Sequence, residues 1–136
     1  MHKELNDIII NEAKALDELL KALEEQHGYI VKKDILGMER CVSIIEQGNR
    51  EIAAWEVNRR DNTKGRAMSL VIEEEKNEEL ETNYRKIKML LQETLVQKET
   101  NELLIKQGLS FTNRILGIIN PDRSVKTYNS YGKVKR

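Results

Sequence analysis

Three side chains of this sequence have the chemistry for metal binding or nucleophilic catalysis: Cys41, His2 and His27. The lone Cys41 excludes a disulfide framework within one chain, and the two histidines lack the close spacing that metal ligands share. The sequence also has no glycine-rich phosphate loop and no set of Ser, His and Asp residues for hydrolysis. We therefore expect no enzyme activity, no metal and no cofactor.

Charged side chains offer a second kind of chemistry, the recognition of nucleic acid. Basic and acidic residues are equal in number, 23 of each, but the segment from Pro121 onward has five basic residues against Asp122. These basic residues are Arg123, Lys126, Lys133, Lys135 and Arg136. The body of the chain has no basic stripe interleaved with aromatic residues, so we expect no nucleic-acid partner.

Apolar runs in the sequence are too short for a signal peptide or a membrane span. The early run covers only Ile8, Ile9 and Ile10, and no stretch approaches the ~20 apolar residues that a transmembrane helix needs. Together with the single cysteine, this pattern predicts a soluble cytoplasmic protein.

The first helix is predicted from about Lys3 to about Ile30, where apolar residues recur every three or four positions. Gly28 weakens the helix locally, and Asp34 is a good N-cap for a following helix. The alternative is one continuous helix through this point, because the helical spacing of the apolar residues is nearly maintained across it.

The second helix is predicted from about Asp34 to about Arg60. Its apolar residues follow heptad spacing and predict a narrow packing seam. The seam residues are Ile35, Met38, Val42, Ile45 and Ile52. The segment that follows, NRRDNTKGR, has the turn chemistry to reverse the chain.

A third helix is predicted from about Ser69 until Asn120 and Pro121 stop it. We expect ~45 residues, nearly 70 Å at 1.5 Å per residue. The acidic residues between Glu73 and Glu81 fit a solvated N-terminal part of this helix. The fold prediction is all-α: three long antiparallel helices form an elongated coiled-coil-like bundle over residues 1–120, the third helix is longest, and residues 121–136 are a flexible basic tail.

The last third of the third helix is predicted to project beyond the shorter first two helices. Its apolar residues would then be left in water, which favours a partner helix seated on them. The candidate contact residues are Leu104, Ile105, Leu109, Phe111, Ile115 and Ile119. A core role is the alternative, in which the stripe pairs with a copy of itself in a structural coiled coil or with the first helices in a shifted register.

The C-terminal third contains the run TNELLIKQGLSFTNRILG, with Asn101, Gly108 and the Leu103 and Leu104 pair, followed by the closing TYNSYG. These features resemble the signature of the FlgN family of flagellar export chaperones. Upstream, a helix rich in Leu and Glu, then Asp34 opening a second helix, also fits. The resemblance spans essentially the whole chain, but its specific part is the last third.

This resemblance implies a cytosolic chaperone of type III flagellar export. Its clients would be the hook-filament junction proteins, which it keeps from assembling early and delivers to the export gate or ATPase components at the membrane. Tyr128 and Tyr131 lie in the closing motif and would contact the export machinery. The alternative is that these two tyrosines fold back as a lid over the apolar stripe.

Overall fold

The computed structural model describes residues 2–119, and all regular structure in that range is helical. The helices are α1 (His2–Val31), α2 (Ile35–Asn62), α3 (Met68–Glu75) and α4 (Glu78–Ile119). The all-α prediction is confirmed. The basic tail lies outside the described residues, so its predicted flexibility stays a prediction.

A tight turn separates α1 from α2 and decides against one continuous helix. Lys33 adopts a left-handed backbone conformation with φ of 58°, and the carboxylate of Asp34 accepts a hydrogen bond of 2.9 Å from the Gly37 amide. Asp34 is therefore the N-cap, as predicted. The ring of Tyr29 occupies the space that a β-carbon on residue 37 would need, at 2.3 Å, so glycine lets the turn close.

The prediction of one long third helix is wrong, because the described chain divides it into α3 and α4. Lys76 ends α3 in a left-handed conformation with φ of 50°. The side chain of Asn77 then accepts a hydrogen bond of 3.1 Å from the Leu80 amide and caps α4. With 42 residues, this fourth helix is longer than α1 (30) and α2 (28).

The helix α1 packs along both α2 and α4, which have few close contacts with each other. It is antiparallel to α2 and parallel to α4. The direction of the three long helices therefore alternates in chain order, although the neighbours α1 and α4 run the same way. One core cluster joins α1 to α3 and α4, and a second joins α1 to α2. Buried members of the first cluster include Leu5, Ile9, Leu16, Val71, Leu80 and Ile87, and those of the second include Leu23 and Ile45.

A partly buried ion pair between Arg59 and Glu12 ties the three long helices together in the N-terminal half of α1. Arg59 of α2 donates two hydrogen bonds, of 2.9 and 3.3 Å, to the carboxylate of Glu12 in α1. The same guanidinium lies 5.8 Å from the ring centroid of Tyr84 in α4. Because a buried charge without a partner is costly, this pair favours a single alignment of the helices.

Within the described range, no helix combines the length and the apolar character needed to cross a membrane.

Candidate functional site

An apolar groove of about 740 Å³ opens at the end of the bundle where α1 ends and α2 begins. One side is formed by the α1 to α2 turn region and the other by α4. We call it the apical groove. Its lining residues are Ile30, Val31, Lys33, Ile35, Met38, Leu104, Ile105, Gln107, Gly108, Leu109, Phe111 and Thr112.

The groove exists because α4 continues after α1 has ended. Ile105 is the last buried residue of α4, and residues 106–119 contain none. We call residues 106–119 the projecting segment. Its first part forms one wall of the groove, and most of the large apolar side chains of the segment, including Phe111, Ile115, Ile118 and Ile119, are open to solvent.

Four of the six predicted contact residues line the apical groove. Ile105 is only 5% exposed and forms part of the floor, whereas Phe111 is 59% exposed at the edge. Leu104 and Leu109 are half-buried between these extremes. The floor residue is thus held by the bundle, while the edge residue is open to solvent.

The remaining predicted site residues lie away from the groove lining. Ile115 and Ile119 are exposed on the projecting segment, beyond the last lining residue of α4. Tyr128 and Tyr131 fall outside the described residues. The structure therefore assembles one part of the predicted stripe and leaves the other part unpaired in the described chain.

A buried polar cluster fixes α4 against α1 directly below the groove floor. The side-chain nitrogen of Asn101 donates to the Leu23 carbonyl at 2.8 Å and to the Gln26 side chain at 3.1 Å. Gln97 donates to Asn101 at 2.9 Å, and its amide nitrogen lies 2.9 Å from His27 Nδ1. Since a buried amide is costly without partners, these bonds specify the register that places Ile105 in the groove.

Sequence reasoning did not find the opposite wall of the groove. Ile30 was predicted as a helix end and Ile35 as a packing residue, and Val31 was given no role, yet all three line the opening. The available signal was their position on both sides of the predicted turn at Asp34. Apolar side chains that flank a turn come together at the end of a helical hairpin.

Among the side chains that the structure describes, residues 3–119, no group of three His, Cys, Asp or Glu residues could hold a metal ion. Cys41 is buried, and burial, together with the nearby charge of Glu25, raises the pKa of its thiol. A thiol with a raised pKa stays protonated and is a poor nucleophile.

Comparison with protein families gives one whole-chain match. The family model described as FlgN protein matches residues 1–136. Comparison with curated proteins and with solved structures gave no significant match.

Proposed function

The chain belongs to the FlgN family of flagellar export chaperones, and on that premise we propose that its apical groove binds a helical segment of hook-filament junction proteins. In this proposal the chaperone works in the cytoplasm, shields the client until export, and delivers it to the export gate or its ATPase. The observation that supports it most is the apolar groove continuing into a projecting segment whose apolar side chains are mostly exposed.

The shape of this surface suits an amphipathic helix. Leu104, Phe111 and Ile115 lie at spacings of seven and four residues, so they share one face of α4. A client helix with apolar residues at matching intervals can lay them along this face and into the groove. Burying several such side chains on each partner supplies the apolar contact on which binding depends.

Gly108 gives the proposed complex a specific feature, a close approach of the client backbone. It lines the groove, and no atom lies within 4 Å of where its β-carbon would be. Glycine inside a helix costs about 1 kcal/mol relative to alanine. No contact among the described residues requires it, and a partner that packs closely against α4 would.

We expect Gly108→Ala to weaken binding of a junction-protein terminal segment by roughly 1–2 kcal/mol, because the added methyl group crowds the close contact. Calorimetric titration of the purified chaperone with that segment measures the change. Gly117→Ala is the matched control. It makes the same substitution in the same helix, has no neighbour within 4 Å, and lies about 180° around α4 from Gly108.

The control variant should bind like the unmodified chain, and both variants should gain helix stability by similar amounts. Equal affinities for the Gly108 and Gly117 variants would mean that the client does not approach the backbone at Gly108. Absence of any binding by the unmodified chain would count against the function itself.

For delivery, we propose that Tyr128 and Tyr131 contact the export machinery, although both lie outside the described residues. An aromatic ring provides a large contact area at low entropic cost. Truncation after Arg123 should leave melting and client binding unchanged while export fails. A lower melting temperature would instead favour the lid interpretation.

A structural coiled coil is the second candidate, and one observation favours it. Met89, Val96 and Leu103 are spaced by seven residues on α4, and each is more than half exposed. Such a line is typical of a self-association seam. Sedimentation that finds a stable dimer with no affinity for junction-protein segments would support this candidate over the chaperone.

A further inference from the structure

The rim of the apical groove is basic on more than one side. Lys33 lines the groove from the α1 to α2 turn. On α4, Lys106 lies three residues before Leu109, and Arg114 lies three residues after Phe111. Three residues turn a helix by about 300°, which is 60° short of a full turn. Lys106 and Arg114 therefore lie just outside the two edges of the part of α4 that lines the groove.

The nearest acidic residue of α4 is Glu102, one helical turn before Lys106, and no ion pair joins the two in the described structure. Residues 103–119 contain no aspartate or glutamate, and Lys33, Lys106 and Arg114 are all exposed. None of the three takes part in an ion pair within the described residues. At the turn, the carboxylate of Asp34 caps α2 by accepting a hydrogen bond from Gly37 and keeps its negative charge beside Lys33. The net positive charge at the groove therefore lies mainly on its α4 side.

The sign of this charge limits which segment can occupy the groove. The segment from Pro121 onward carries five basic residues and one acidic residue, so its own charge opposes a stable position at a basic rim. A partner helix with carboxylates beside its apolar face is complementary in both shape and charge. Solvent-exposed pairs of this kind are individually weak and depend on salt.

We propose that the apical groove selects client helices that carry acidic residues on both flanks of an apolar face. This inference rests on the proposed function and adds a charge rule to it. Three exposed charge contacts together should favour an acidic-flanked helix about fivefold to tenfold over a neutral one at low salt. The preference should shrink toward unity at high salt, where the Debye length is much shorter.

Two labelled synthetic peptides test the rule. Both are amphipathic helices of about 20 residues, ~30 Å long, with the same leucine and isoleucine face. One has four glutamates on the flanks of that face, and the other has glutamine at those four positions. Fluorescence anisotropy measures the dissociation constant of each peptide with the full chain at about 0.02 M and 0.5 M salt.

The matching protein variants separate charge from apolar contact. A triple variant, Lys33→Glu, Lys106→Glu and Arg114→Glu, should reverse the order and bind the glutamine peptide more tightly. Lys86→Glu is the single-charge control, because Lys86 is exposed on the same helix about 30 Å from Lys106. The Lys86→Glu variant should keep most of the preference for the glutamate peptide. The single variant Lys106→Glu should lose more of that preference than Lys86→Glu does. Circular dichroism checks that each variant remains folded.

Equal affinity of the two peptides at low salt would overturn the charge rule and leave the proposed function standing, since both peptides would still bind the groove. A preference that survives in the triple variant would also overturn it, because the charge would then act elsewhere. If neither peptide binds at any salt concentration while the protein is folded, the charge rule fails together with the proposed helix-binding mode.

Discussion

Ile45→Asp is expected to unfold the bundle, because it places a carboxylate at a position of α2 that is 1% exposed. Ile45 belongs to the cluster in which α2 packs against Leu19 and Leu23 of α1. The substitution removes a large buried side chain, which alone costs about 2–5 kcal/mol, and adds a charge with no partner. Such a loss is comparable to the whole stability of a small domain, about 5–15 kcal/mol. Thermal melting followed by circular dichroism measures the loss.

Ile44→Asp is the control for this experiment. Ile44 is the preceding residue in the same helix, but it is 57% exposed. The same chemical change there should alter stability by only about 0.5 kcal/mol. A similar melting temperature for the two variants would show that the face of α2 assigned to the core is wrong.

The heptad seam of α2 shows how far periodicity alone could predict packing. Met38, Val42 and Ile45 are buried, as their spacing indicated, while Ile35 is 51% exposed. Spacing identifies the face on which a residue lies, but it does not tell how far the neighbouring helix extends. Ile35 is on the predicted face, yet it lies at the groove opening, where α1 has already ended.

The break between α3 and α4 was missed for a different reason. Glutamate and lysine are good helix formers, so the acidic run could be read as the start of a long helix. The competing signal was local, since Asn77 precedes Leu80 by three residues and can cap its amide. Capping of this kind satisfies donors that a helix start leaves open, and here it outweighed the propensity of the surrounding residues.

The buried role of Asn101 could not be derived from the pattern either. The residue was noted only as part of a family motif, and an asparagine in an apolar stripe is equally compatible with a solvent-exposed position. Its 1% exposure depends on three partners that come from α1 and from the preceding turn of α4. Long-range contacts of this type link residues more than 70 positions apart in sequence, which no local pattern specifies.

The difference between the groove floor and its edge leads to the largest functional effect that we expect. Phe111→Ala combined with Ile115→Ala should weaken binding of a junction-protein terminal segment by about 1–3 kcal/mol for each residue that acts as a hot spot. Phe111 is 59% exposed, and Ile115 is also exposed, so neither contributes much to the folded core. Calorimetric titration gives the affinity, and melting followed by circular dichroism gives the stability.

Met89→Ala distinguishes a specific contact at the groove from nonspecific apolar attraction to α4. Met89 is 56% exposed on the same helix, about 33 Å from Phe111 at 1.5 Å per residue, and it is not part of the apical groove. If exposed apolar area alone attracted the client, this truncation would weaken binding as much as Phe111→Ala does. We expect it to leave the affinity unchanged. Normal binding by the double variant, or a large fall in its melting temperature, would assign Phe111 and Ile115 to the core of an assembly and not to a client site.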